Sequence, residues 1–165
     1  MNINIPQQYF SKLMRAVVEF NLIEDNDNIL IGLSGGKDSL FLTYALAILR
    51  IRLKKHFSLK AVTIDPMFTE NFAVDTIKKF CEDLSIEYSV HQVDINKAIK
   101  ASGKNPCFTC AYFRRGAINR LALEKGCNKV AYAHHNDDAV ETLFMNLIYY
   151  GQIKTFSPSP NLDKT

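Results

Sequence analysis

The sequence predicts an α/β protein, a parallel twisted sheet with helices on both faces. Three observations carry that expectation. Four short apolar runs occur at 29–33, 59–64, 88–93 and 129–133, and helical patterns fill the intervals between them. The chain has 165 residues at 47% apolar content, which suits one compact core rather than a disordered or fibrous chain. Strand, helix, strand repeated in this way implies parallel pairing with helices covering both faces.

Taken in order, a leading helix over 7–21 places Phe10, Leu13 and Val17 on one face. The first strand, 29–33, runs into the loop 34–39, and a helix over about 39–54 follows. The second strand, 59–64, ends at Asp65 and Pro66, and the stripe Ala73, Ile77, Phe80, Leu84 marks the next helix. After the strand at 88–93 comes a helix over 111–125, then the strand at 129–133. The clearest helix is 137–150, where Val140, Leu143, Phe144, Leu147 and Ile148 recur at helical spacing and Gly151 supplies a C-terminal cap. Patterning fades from Thr155, and Pro158 and Pro160 mark an irregular end.

Composition bounds the function classes. No apolar stretch reaches the length of a membrane span and no cationic leader precedes an apolar segment, so the expectation is a cytoplasmic protein without membrane partners. Its four cysteines then meet reducing conditions, which favours thiol chemistry or metal binding over disulfides. A net charge of +3 permits a polyanionic partner without demanding one.

The loop "SGGKDS", Ser34, Gly35, Gly36, Lys37, Asp38 and Ser39, leaves a strand and opens a helix, so its backbone N–H groups converge on one anion site. The helix dipole contributes only about 0.3 to 1 kcal/mol, whereas each charge-assisted hydrogen bond to a phosphate contributes roughly 1.5 to 3 kcal/mol. The N–H cradle therefore dominates. Gly35 and Gly36 are expected to adopt positive φ and let phosphates approach, and Lys37 adds a point charge. A Walker A loop is excluded, because Ile31 stands where its first glycine belongs and Asp38 where its serine or threonine belongs. The bland alternative is a glycine turn with Asp38 or Ser39 as helix cap.

Two further stretches reach the same sheet edge. In "NPCFTCAYFRRG", Cys107 and Cys110 stand two residues apart at a helix start with Arg114 and Arg115 beyond, and taken alone they are half a zinc site, a redox dithiol, part of an iron–sulfur site or an incidental pair. Cys81 reads as a core residue within a helix, and Cys127 falls on the opposite edge. "YAHHNDDAVETLF" brings His134, His135, Asp137 and Asp138 to the end of the fourth strand, where Asn136 or Asp137 is expected to cap the helix. Strand alternation should turn the two histidines to opposite faces, so at most one meets a nucleotide. Asp65 contacts nucleotide or metal, or else serves a turn with Pro66.

The loop SGGKDS resembles the pyrophosphate loop of the PP-loop ATP pyrophosphatases. Joined in order with the CxxC, the arginine pair, the histidine pair and "ETLF", it resembles the tRNA 2-thiocytidine synthetase-like branch of that family over about residues 28–157. The resemblance implies an adenine nucleotide alpha hydrolase-like sheet lacking its last strand, with 1–157 a PP-loop nucleotide-binding domain and 158–165 a tail at the start of a missing C-terminal part. It implies ATP and Mg²⁺ bound by residues 34–39, Asp65, His135 and Asp138, with Asp38 on the magnesium and Lys37 and Asp38 catalytic. It also implies a 4Fe–4S cluster on Cys107 and Cys110 plus a third cysteine beyond this sequence. The implied activity is ATP-dependent thiolation of a tRNA cytidine at C2, with Arg114, Arg115 and Lys154 on tRNA phosphates. A sulfur donor such as a cysteine desulfurase would serve it, and a homodimer is left open. The alternatives are another PP-loop tRNA modifier such as a lysidine synthetase, or a nucleotide-binding module without catalysis.

Overall fold

The computed structural model describes residues 5–67, 74–95, 99 and 106–156. Among them the elements are α1 (Gln7–Glu19), β1 (Asn28–Gly32), α2 (Lys37–Arg52), β2 (Ser58–Asp65), α3 (Val74–Asp83), β3 (Glu87–Gln92), α4 (Pro106–Glu124), β4 (Lys129–Ala131) and α5 (Asn136–Tyr150). The expected tail at 158–165, and Ala73 of the third-helix stripe, lie outside the described residues. Two compact units result, one built on Glu24–Tyr132 and the other on Ile5–Ile23 with Ala133–Thr165.

The first unit holds the four-stranded sheet, in the order β3-β2-β1-β4 with every neighbouring pair parallel. The chain steps outward from β1 through β2 to β3 and then returns to β4 on the other side of β1. With right-handed crossovers this places α2 and α3 on one face and α4 on the other. Packing agrees, because Leu30, Val62 and Ile64 share a buried cluster with Ala117, Ile118, Leu121 and Ala122 of α4. On the opposite face Tyr88 of β3 donates its hydroxyl to Thr63 at 2.9 Å, and Thr63 donates to the Leu33 carbonyl at 2.6 Å. The expected parallel α/β architecture is thus present, and the strand order puts a topological switch point between β1 and β4, where ligands gather in such sheets.

Several boundaries differ from expectation for physical reasons. Helix α2 starts at Lys37 rather than near 39, because Gly36 is extended (φ −73°, ψ 158°) and serves as N-cap. Helix α4 starts at Pro106 rather than 111, since proline fits the first helical position with its φ preset and no N–H to satisfy. Strand β4 is three residues long rather than five, its pairing with β1 ending at Ile31↔Ala131.

In the second unit, α1 forms with Phe10 and Leu13 half-buried and Val17 buried along the expected face. Helix α5 forms and ends on Gly151 in the left-handed conformation (φ 62°), which returns its N–H to Leu147 at 3.1 Å. None of its residues is buried, however. Periodicity sets an apolar stripe; it does not supply the surface that covers it. Among the described residues no helix is long and apolar enough to cross a membrane.

At the amino-terminal edge of the sheet a buried carboxylate ties the turn before β1 to the start of β4. Asp27, 2% exposed, accepts from Lys129 Nζ at 2.8 Å, from Asn128 Nδ2 at 2.7 Å and from the Glu24 N–H at 2.6 Å. Burial works to raise its pKa, but the Lys129, Glu24 and Asn128 hydrogen bonds together carry it below the ordinary carboxylate value of 3.8. A lowered carboxylate pKa stabilises the fold above the unfolded value, and that contribution disappears as pH falls through the folded one. Asp27→Ala should therefore cost roughly 3 kcal/mol at neutral pH, the low end for a broken buried pair because Lys129 keeps some access to water. Urea melts should show the gap between wild type and variant closing as pH falls below 3.8; a gap that stays constant with pH would contradict the ionic reading.

Candidate nucleotide and sulfur site

Leu33 donates its N–H to the Val62 carbonyl at 2.9 Å, so the sheet holds the chain up to the start of the glycine loop. The loop is then braced from inside. Ser39, 4% exposed, donates its hydroxyl to the Gly36 carbonyl at 2.9 Å and accepts the Ser34 N–H at 3.2 Å. Having spent its only proton on Gly36, Ser39 must accept from the Ser34 hydroxyl across their 3.0 Å contact. Ser34 Oγ in turn accepts the Gly36 N–H at 3.4 Å. Both serine side chains thus serve the loop's own shape.

The N–H groups of Lys37 and Asp38, in the first turn of α2, have no intrahelical acceptor, as at any helix start. Lys37 also stands at the positive end of the helix dipole, a placement unfavourable by some tenths of a kcal/mol until an anion docks there. Gly35 has φ +82° and Gly36 does not share the positive φ expected of it. A Cβ on Gly35 would lie 3.0 Å from Ile77 Cδ1, whereas one on Gly36 would meet only Ser34 Oγ at 3.5 Å. Gly35 is needed by the fold, while Gly36 leaves an open approach.

Asp65 ends β2 on this edge. Its Oδ1 accepts the Met67 N–H at 2.9 Å across a turn in which Met67 has φ 59°, and its Oδ2 accepts from Gln92 Nε2 at 3.4 Å. The turn role is realised, and the carboxylate remains at the strand's carboxyl end.

The cysteine pair opens α4, on the opposite face of the sheet from α2. Cys107 is exposed, Cys110 is half-buried and neither is in a disulfide. Helical spacing puts Cys107, Cys110 and Arg114 on the stripe that continues through Ala117 and Leu121 into the core. That explains why Arg114 is half-buried, its Nε shielded from water with no hydrogen-bond partner. Arg115 is exposed, with its guanidinium carbon 5.7 Å from the centroid of the Tyr132 ring. Burial pushes the Tyr132 phenol up to about 12, against the opposing charge of Arg115.

Two thiolates fit as part of a cluster or metal ligand set and not as a whole one. Among the described residues no group of three or more His, Cys, Asp or Glu side chains is placed to hold a metal ion. Cys81 is fully buried and its thiol is pushed up to about 11 by that burial. Cys127 is buried beside Lys60, Lys125 and Glu87, at the opposite edge of the sheet as expected, and burial raises its thiol too.

His134, His135, Asp138 and Lys154 belong to the second unit. The expected divergence of the two histidines does not occur, because β4 ends at Ala131 and strand alternation stops before reaching them. Both Nδ1 atoms lie 3.7 Å from the same Asp138 Oδ2. The N-cap is His135 rather than Asn136 or Asp137, and its N–H donates to Asp138 Oδ2 at 2.8 Å. That hydrogen bond, chiefly, lowers the Asp138 pKa, with help from the charges of both imidazoles. The His134 ring centroid lies 5.5 Å from that of Phe156, and the Lys154 carbonyl accepts from Asn146 Nδ2 at 2.7 Å.

A family model for the PP-loop domain matches residues 6–161. The chain belongs to the PP-loop domain family. It is 39% identical over 147 residues to the tRNA-cytidine(32) 2-sulfurtransferase of Dechloromonas aromatica (strain RCB), covering 87% of this chain and 51% of that protein. The protein of the same description from Ralstonia pickettii (strain 12J) is 40% identical over 154 residues, covering 90% and 48%. The chain spans about half the length of these curated relatives. Among solved structures, the U34-tRNA thiolase NcsA from Methanococcus maripaludis with its 4Fe–4S cluster matches with a TM-score of 0.72 at 29% identity, over 88% of this chain and 50% of that one. An NH3-dependent NAD synthetase from Campylobacter jejuni matches with a TM-score of 0.56 at 15% identity, over 87% and 75%, which speaks to the fold alone.

In this PP-loop domain the sequence reading missed Gly32. A Cβ there would meet Ile118 Cδ1 at 3.2 Å and the Tyr132 ring at 3.3 Å, so Gly32 lets α4 and the end of β4 close on β1. A glycine ending a central apolar strand was the available signal. The two loop glycines should separate in a stability test. Gly35→Ala should lose about 1 to 2 kcal/mol from its left-handed backbone alone, and Gly36→Ala less than about 0.5 kcal/mol. Equal losses in chemical denaturation would show that the loop geometry is wrong.

Proposed function

We propose that this PP-loop domain binds Mg-ATP on residues 34–39 and, as part of a tRNA 2-thiocytidine synthetase-like enzyme, activates a tRNA cytidine for thiolation. The observation that carries the reading is the braced loop at the switch point, combined with a cysteine pair, in no disulfide, opening the helix that covers the other face of the sheet. Identity of about 40% to tRNA-cytidine sulfurtransferases supports the same substrate class. Residues 1–157 are read as the nucleotide-binding domain, working in the cytoplasm with tRNA and a sulfur donor such as a cysteine desulfurase.

In the proposed reaction the C2 oxygen of cytidine attacks the α-phosphorus and pyrophosphate leaves with the pair of electrons from the broken P–O bond. The carbonyl oxygen, a poor leaving group, becomes part of an adenylate; a sulfide-level sulfur nucleophile then adds at C2, and AMP departs with that oxygen and the electron pair of the broken C–O bond. The N–H groups of Lys37 and Asp38, together with the Lys37 ammonium, hold the charge that grows on pyrophosphate. Asp38 contributes to the Mg²⁺ site, and Asp65, His135 and Asp138 contact the nucleotide. Cys107 and Cys110 provide two ligands of a 4Fe–4S cluster of the kind the NcsA thiolase carries. Such a cluster, when bound, supplies the sulfur-carrying chemistry. Arg114, Arg115 and Lys154 are assigned to tRNA phosphates.

The test is tRNA-dependent release of pyrophosphate and AMP from Mg-ATP. Lys37→Ala should lower the rate by roughly 100-fold or more, as loss of a group stabilising transition-state charge does. Cys107→Ala should leave pyrophosphate release intact and abolish 2-thiocytidine in digested tRNA. Unchanged release in Lys37→Ala, or release lost in Cys107→Ala, would overturn the division of labour.

A further inference from the structure

Helix α4 carries a second stripe that the proposed chemistry does not use. Phe108, Tyr112 and Arg115 stand four and three residues apart, on a different side of the helix from Cys107, Cys110 and Arg114. Phe108 is 59% exposed, Tyr112 68% and the adjoining Phe113 40%. The Phe108 and Tyr112 rings lie within 17° of parallel with centroids 6.4 Å apart, and Phe113 braces Tyr112 edge-on at 5.8 Å. Aromatic side chains of a core helix normally bury their large apolar area, and these remain at the surface, ordered against one another.

The charge beside them has one sign. Arg114, Arg115 and Arg120 follow on the same helix, which has no carboxylate before its last residue, Glu124. Of the three, Arg115 shares the stripe of Phe108 and Tyr112, while Arg114 lies on the cysteine side and Arg120 on neither, so this face presents aromatic rings and one guanidinium with no carboxylate of the helix beside them. An RNA strand satisfies both features at once, a phosphate meeting Arg115 and its unpaired bases stacking on the rings.

We propose that Phe108 and Tyr112 form a stacking platform for unpaired bases of the RNA substrate, next to the cysteine pair on the same helix. This rests on the tRNA reading above and adds to it a preference for single-stranded loops over paired stems. The rings act by holding the nucleotides that flank the reacting cytidine, so they are positioning residues. Every base has a π-face, so the platform selects for unpairing more than for sequence.

The experiment measures binding by fluorescence anisotropy of the full chain to an RNA hairpin with an unpaired loop, and to a fully paired RNA duplex of equal length. Wild type should prefer the hairpin. Phe108→Ala and Tyr112→Ala should each weaken hairpin binding about ten-fold and leave duplex binding and Mg-ATP binding as they are, while Tyr112→Trp restores the preference. Wild type that binds both RNAs, with alanine variants indistinguishable from it, would overturn the platform and leave the tRNA reading standing. Wild type that binds neither RNA would overturn both. Equal losses on hairpin and duplex would show contact without stacking and overturn the platform. So would loss of self-association in sedimentation with hairpin affinity unchanged, since the rings would then serve a protein contact.

Discussion

The geometry of the ligand edge depends on one buried hydroxyl. Ser39 receives the Ser34 N–H and gives its proton to the Gly36 carbonyl, so the loop between β1 and α2 is fixed from within. The same residue's carbonyl accepts the buried Thr43 hydroxyl at 2.8 Å, which extends the brace a turn into the helix. With both serine side chains engaged internally, the anion-binding capacity falls to backbone N–H groups and Lys37. Preorganised N–H groups need no rearrangement as charge develops on a leaving pyrophosphate, which is the property a phosphate-transfer loop requires.

The placement of that loop follows from strand order. β1 pairs on both sides, with β2 and with β4, and the chain crosses to opposite faces as it leaves β1 and as it approaches β4. The loop opening α2 and the cysteine pair opening α4 therefore come from opposite faces of the sheet to its carboxyl edge. At the other edge Asp27, Asn128 and Lys129 join the starts of β1 and β4. With a buried, hydrogen-bonded ion pair at that edge, the carboxyl edge keeps a lysine at the positive end of a helix and one exposed and one half-buried thiol.

The strands were legible because buried parallel strands are short apolar runs; three appear within one residue of their expected bounds, and β4 ends two residues early. Helix existence was legible from periodicity, and the left-handed cap at Gly151 from its residue type. Helix starts were less so: Gly36 and Pro106 act through backbone geometry, which apolar spacing does not register. The loop motif identified Ser34 and Ser39 as part of the site but could not divide them from the groups that face a ligand, since both roles call for a small hydroxyl. The histidine pair misled because alternation was extended past the end of a strand whose length depends on its neighbour. The exposure of α5 was invisible for a related reason: an apolar stripe looks the same whether or not something covers it.

The central claim, that phosphates sit on backbone N–H groups at the start of α2, is tested most directly by an amide NMR titration with magnesium pyrophosphate. The account predicts that the amides of Gly35, Lys37 and Asp38 shift together and saturate at one affinity. The Ser34 and Gly36 amides, already engaged within the loop, should move less. Saturable shifts confined to residues outside 34–39, with the Lys37 and Asp38 amides unmoved, would contradict it.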